Sequence, residues 1–182
     1  MVPGAMAGIL LAILLKPELA AIVNISIAIL VSILLDSNLG IGIMSLSGGI
    51  MGIYIVKNSQ QRNDVVLAGI GAGLVNFVAI IGMDLMGTGT IKSTLQPALW
   101  GFGGGVLSAV FAIGTLPIWE NLFKVITPLK LVELSNPNQP VLKRLLVEAP
   151  GTYHHSVLVA NLAESGADAI GANDLLARVG AY

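Results

Sequence analysis

Apolar residues fill the first two thirds of the chain in long runs separated by short polar punctuation, and the run lengths define the elements. A helix crosses the hydrocarbon core of a bilayer with about 20 apolar residues, and about 17 to 25 are tolerated. Five stretches come close: Val2 to Leu15, Leu19 to Leu35, Leu39 to Val56, Val65 to Met83 and Leu95 to Trp119. None of them holds an Asp, Glu, Lys, Arg or His. The breaks are Lys16-Pro17-Glu18, Asp36-Ser37-Asn38, the polar run from Lys57 to Asp64, and Asp84 with the Gly/Thr loop after it. The pattern predicts an all-α, polytopic helical membrane bundle of about five spans over residues 1–119.

Within the runs, small residues recur at the spacing of helix contacts. Gly4 and Gly8, Gly48 and Gly52, Gly69 and Gly73, and Gly101 and Gly105 are each four apart, and Gly104, Ser108 and Ala112 extend a small face on the fifth span. Helices in lipid associate by close approach of such faces, so these positions are expected to be packing seams. A phosphate-binding loop at Gly101 to Gly105 is the weaker alternative, because the segment lies inside an apolar span. Asn24 and Asn76 are intramembrane amides, expected to bond between helices, with a ligand cavity as the alternative. Pro97 and Pro117 fall near the two ends of the fifth span, where a lost backbone bond is expected to cost least.

From Thr127-Pro128 onward charges interleave with Leu and Val, and the pattern becomes that of a water-soluble segment. Residues 120–150 are expected to form a juxtamembrane linker, with a turn from Ser135 to Pro140 and a short helix from Val141 to Glu148 that Ala149-Pro150-Gly151 breaks. Thr152 is expected to cap a helix running to Ile170, with Gly171 as its stop, and Asn173 to cap a last helix from Asp174. On the first of these helices His155 shares an apolar face with Leu158, Val159 and Leu162, a face expected to look inward. By spacing alone His155 is either a hydrogen-bonded core residue or a metal ligand, whereas His154 points elsewhere.

Composition narrows the function classes. Of the 182 residues 55% are hydrophobic and 10% charged, against about a quarter charged in soluble domains. The formal net charge of −1 offers nucleic acid no electrostatic foothold, and the lack of cysteine excludes disulfides and thiolate sites. Charge placement is more telling. Lys16, Lys57, Arg62, Lys124, Lys130, Lys143 and Arg144 all fall on one side of a five-span arrangement, and only Lys92 falls on the other. The positive-inside rule then predicts a multi-pass cell-membrane protein whose C-terminal segment is cytoplasmic and whose first residue is outside. The opening residues lack the basic start of a secretory signal, and an outside start with an odd number of spans predicts that Met1 is an internal residue of a longer chain.

Three segments bring a family into view: Leu131 to Pro140 (LVELSNPNQP), Leu145 to Ser156 (LLVEAPGTYHHS) and Leu175 to Tyr182 (LLARVGAY). Together they resemble the seven-transmembrane HD-domain receptors, a family that includes bacterial cyclic di-AMP phosphodiesterases; the apolar spans follow in hydrophobic pattern. The resemblance implies that the spans are the last five of seven and that residues 151–182 are the first helices of an α-helical HD phosphohydrolase domain. It implies that His155, just before Ser156-Val157-Leu158-Val159-Ala160, is the first metal ligand, and that the defining His-Asp pair would follow Tyr182. The implied cofactors are divalent iron or manganese ions, the implied substrate is cyclic di-AMP, the other partner is the lipid bilayer, and oligomerisation is left open. This chain alone, with one ligand, is expected to be inactive. A transporter or channel subunit, or a non-catalytic membrane scaffold, is the alternative; the absence of ionisable groups in the spans weighs against a pump.

Overall fold

A computed structural model describes residues 4–35, 39–57, 59, 61–86 and 91–182. The expected start of the first span at Val2 and the connections at 36–38 and 87–90 lie outside the described residues. Helix is the only regular structure among them, as the apolar periodicity implied. The chain divides into two compact units, Met1–Val125 and Ile126–Tyr182.

The first unit contains α1 (Gly4–Leu14), α2 (Pro17–Leu34), α3 (Leu39–Val56), α4 (Arg62–Met86) and α5 (Ile91–Phe123). Four of these are long and apolar enough to cross a membrane, and α1 is not. Its 11 described residues extend only about 16 Å, roughly half the hydrocarbon thickness. The described part of α1 is thus shorter than the span expected from Val2 to Leu15, whose first residues lie outside the described residues. Gly4, Ala5, Gly8, Ile9, Leu10, Ala12 and Ile13 of α1 are all buried, whereas α2 leaves Ile22, Ile29 and Ile33 more than half exposed. A short, uniformly apolar helix can occupy a bundle's centre because it needs no polar face.

Proline sets the first boundary. Lys16, preceding Pro17, is held extended at φ −115° and ψ 145°, as the proline ring requires, and Pro17 then opens α2 where its missing N–H is no loss. At the other extreme, α5 runs for 33 residues with Pro97 and Pro117 inside it. They were expected near the ends of a shorter helix; the helix instead continues beyond both, to about 50 Å in length. It stops at Lys124, which takes the left-handed φ of 52°, while the N–H of Val125 donates to the Glu120 carbonyl at 3.2 Å. That geometry is a Schellman close with lysine in the glycine position.

The glycine spacings become seams. A Cβ on Gly105 of α5 would lie 2.3 Å from the backbone nitrogen of Gly73 on α4, and one on Gly69 would lie 2.4 Å from the Ala109 Cβ. Between α1 and α3, Gly52 lies against Ile9 and Gly8 against the Gly49 carbonyl. Helices this close gain dispersion contacts along their whole length, which in lipid substitutes for the hydrophobic effect.

The second unit contains α6 (Pro128–Leu134), α7 (Pro140–Glu148), α8 (Pro150–Ala169) and α9 (Asp174–Ala181). The first three begin on a proline, pre-set for the first helical position. Thr127, 1% exposed, accepts from the Lys130 N–H and caps α6, a helix that lies within the expected linker. Asn173 caps α9 as expected, accepting from the Leu176 N–H at 2.8 Å. Gly171, at φ 67°, closes α8, with the Ala172 N–H on the Ala167 carbonyl and the Gly171 N–H on the Asp168 carbonyl. Thr152 does not cap α8. That helix starts two residues earlier at Pro150, after an uncapped Ala149, because the proline already supplies helical φ.

Candidate functional site

Within the second unit, α8 carries both histidines, and the structure leaves both exposed. The face shared by His155, Leu158 and Leu162 was expected to look inward, and it does not: Leu158 is 63% and Leu162 74% exposed. The buried residues of α8 are Ala160 and Ala167 instead, because α7 and α9 pack on that side. Helical spacing correctly groups His155 with the leucines but cannot say which face the neighbours cover. His154 sits edge-on to the Tyr153 ring, with centroids 5.6 Å apart.

Polar contacts fasten α9 to its surroundings. The Arg178 guanidinium donates through one terminal nitrogen to Glu164 on α8 at 2.7 Å, and through Nε to the Tyr182 hydroxyl at 3.0 Å. Tyr182 in turn donates to the Ser135 carbonyl at the end of α6, at 3.4 Å. The hydrogen bond with Tyr182 raises the Arg178 pKa above its already high ordinary value, and the Glu164 charge adds to it. Arg178 therefore stays charged as a fixed strut. The sequence reading did not connect Glu164, Arg178 and Tyr182; their 14-residue and four-residue separations are helix spacings only once the α8–α9 turn is known.

A metal can be tested against these residues. His155 is exposed, and among the described residues no hydrogen bond engages its imidazole, so either nitrogen is available to a ligand. No group of three or more His, Cys, Asp or Glu side chains that could hold a metal occurs among the described residues. His155 fits as one ligand of a site and cannot make one alone.

In the first unit the two intramembrane amides sit on glycines of α3. Asn24 of α2 is fully buried, and its amide nitrogen donates to the Leu46 carbonyl at 3.1 Å. Its amide lies so close to Gly49 that a Cβ there would be 2.1 Å from Oδ1. Asn76 of α4 lies over Gly48 in the same way, at 2.5 Å. The interhelical hydrogen bond is therefore made by Asn24, while the Asn76 Oδ1 is buried with no partner among the described residues. Gly101 to Gly105 lie in mid-helix against α4 and form no phosphate loop.

Comparison with known proteins completes these observations. A family model described as 7TM receptor with intracellular HD hydrolase matches residues 1–127. A cyclic-di-AMP phosphodiesterase, PgpH, of Listeria monocytogenes is 39% identical over 184 residues, covering 99% of this chain and 26% of its own length. PgpH of Bacillus subtilis is 38% identical, covering 100% of this chain and 27% of its own length. An uncharacterized protein of Synechocystis is 37% identical over 75% of this chain and 17% of its own length. The chain thus spans about a quarter of the length of the PgpH relatives it matches. No solved structure matches it.

Proposed function

Since the chain belongs to the 7TM receptors with an intracellular HD hydrolase, we propose that it is the membrane part and first hydrolase helices of a sensor that hydrolyses cyclic di-AMP in the cytoplasm. The observation that carries the reading is that both PgpH relatives match across essentially the whole chain, through α8 and α9 as well as the bundle. Its multi-pass character follows from the four long apolar helices and the family. The orientation is part of the proposal: the second unit lies in the cytoplasm, which puts Lys57, Arg62, Lys124, Lys130, Lys143 and Arg144 inside.

His155 is then a metal ligand at the start of the hydrolase domain. A neutral imidazole suits iron or manganese, and one ring nitrogen would ligate while the other donates to an acceptor that fixes the tautomer. When bound, the divalent metal supplies a water activated for attack on a phosphodiester and charge to hold the phosphoryl oxygens. The exposed stripe of Leu158 and Leu162 beside His155 is the surface on which further hydrolase helices would pack, and that packing would carry the imidazole inward. Arg178, Glu164 and Tyr182 hold α9 against α8 and so hold the pitch of the helix that presents His155.

In the full-length protein His155→Ala should lower both bound iron or manganese and cyclic di-AMP turnover, and His154→Ala should matter less. Normal metal content and turnover in His155→Ala would sink the ligand assignment. The purified 182-residue chain should be inert, and hydrolysis by it would overturn the view that the site needs further ligands.

A further inference from the structure

The chain passes from α5 to α6 with almost no slack. The Val125 N–H bonds back to the Glu120 carbonyl at 3.2 Å and so belongs to the close of α5. Thr127, 1% exposed, already caps α6, and Pro128 fixes the backbone behind it. Only Ile126 stands between the two, so a movement of the end of α5 is delivered to α6 before any other element. From α6 two routes lead to α8 and His155. Along the chain the route runs through α7 to Ala149, a bend at φ −145° and ψ 70° with no side-chain cap. The second route crosses space, since α6 packs on α9 and α9 on α8, and Leu131 of α6 is buried. Glu164 of α8 accepts from Arg178 at 2.7 Å, the Arg178 Nε donates to the Tyr182 hydroxyl at 3.0 Å, and that hydroxyl donates to the Ser135 carbonyl at 3.4 Å. Ser135 is the C-cap of α6, where carbonyls lack intrahelical partners. The three bonds run in one sense, from cation to carbonyl, so each polarises the next.

We propose that Tyr182 is a positioning residue for the hydrolase site: its hydroxyl joins the end of α6 to the Arg178–Glu164 pair, so that a displacement arriving from α5 moves α9 and α8 together, and His155 with them. The proposal rests on the reading of His155 as a metal ligand and adds the route by which the bundle reaches it. A group that accepts from a guanidinium and donates to a carbonyl at one point is needed here, and a phenol is such a group. Phenylalanine keeps the ring and breaks both bonds.

A mechanical input tests this route whatever the natural signal is. The apolar span of α5 has 31 residues and is about 46 Å long against a hydrocarbon core of about 30 Å, so its tilt changes with bilayer thickness. The full-length protein is placed in phosphatidylcholine nanodiscs with acyl chains of about 14 or about 22 carbons, and cyclic di-AMP turnover, bound metal and amide exchange in α8 and α9 are measured in both. Native turnover should differ between the bilayers by roughly fivefold, the low end of coupling between sites. In Tyr182→Phe the ratio should fall to about one with KM and bound metal unchanged, a pattern that loss of folding does not produce. Arg178→Gln opens the other end of the chain of bonds and should lower the ratio likewise, so Tyr182→Phe does not decide alone. Arg144→Gln, which breaks the exposed Arg144–Glu148 pair on α7, should keep the native ratio. Amide exchange in α9 should follow the same pattern: thickness-dependent in the native protein and indifferent in Tyr182→Phe. Where no protein turns over the dinucleotide, the hydrolase reading has failed and the exchange comparison alone decides the coupling. Native turnover that ignores thickness, or a native ratio kept by a folded Tyr182→Phe or Arg178→Gln protein, overturns the proposal.

Discussion

Replacing Gly105 by alanine adds one methyl group at the tightest point of the α4–α5 seam. Its Cβ would lie 2.3 Å from the Gly73 nitrogen, 2.4 Å from the Gly73 Cα and 2.8 Å from the Gly69 carbonyl oxygen. All three are backbone atoms, so no rotamer change can relieve the clash, and the helices must part by about 1 Å to restore ordinary contact. A gap of that size forfeits a quarter to a half of the dispersion well for the contacts it opens, and overpacking of this kind costs about 1–3 kcal/mol. Alanine's better helix propensity returns up to about 1 kcal/mol. Gly103, two residues away on the same helix, has nothing within 4 Å of its Cβ position, so Gly103→Ala should be neutral or stabilising by up to about 1 kcal/mol. The propensity gain is common to both, so the two variants should differ by the overpacking cost of about 1–3 kcal/mol, roughly five- to a hundredfold in the folding equilibrium. Reversible unfolding in mixed detergent micelles can be followed by tryptophan fluorescence, since both tryptophans, Trp100 and Trp119, lie on α5. Equal stabilities for Gly105→Ala and Gly103→Ala would refute the tight seam.

Further expectations follow from helix ends and orientation. Lys124→Gly should raise stability by about 1 kcal/mol, because the left-handed φ of 52° costs a side chain what glycine is spared; the same micelle titration checks it, and a loss would contradict the Schellman close. At the end of α8, Gly171→Ala should cost about 1 kcal/mol by the inverse argument, read as a lower melting temperature of the full-length protein. Single cysteines test the orientation against a native background without thiols: an impermeant reagent added outside should modify Ser93→Cys and spare Asn63→Cys, and the reverse would invert the topology. Asn63 is exposed in the first turn of α4.

Run length and polar punctuation were enough to locate α2 to α5 within a few residues, because in lipid an apolar run has few alternatives to a helix. The same logic does not reveal how far α1 is covered by other helices, since an apolar run reads alike beside lipid and beside protein. In the soluble unit, Asn173 and Gly171 announced their caps because each acts on its own neighbours. Thr127-Pro128 and Pro150 carry equally local helix-start signals, the first inside the expected linker and the second inside the expected break. What escaped was relational. Ser45 and Ser47 stand two apart in a glycine-rich run, and only helix packing makes Ser45 the one that is buried with no partner among the described residues. The His155 face groups as helical spacing requires, and what covers it depends on partners that periodicity does not describe. The family signal behaves similarly: short motifs from Leu131 onward suggested it, whereas the family model matches residues 1–127, where the information is spread over many weakly distinctive apolar positions.

The seat that Gly49 offers to Asn24 constrains the order in which this lineage can change. An alanine at 49 would set its Cβ 2.1 Å from the Asn24 Oδ1 and 2.4 Å from its Cγ, and the amide cannot swing aside because it is fully buried and bonded to the Leu46 carbonyl. Mutation of position 49 first is therefore blocked, while loss of the asparagine to a smaller residue opens the seat. Once alanine has entered at 49, the asparagine in turn has no room to return. Descendants should divide into those keeping the Asn-Gly pair and those that have lost both, with Asn opposite Ala the combination history does not visit.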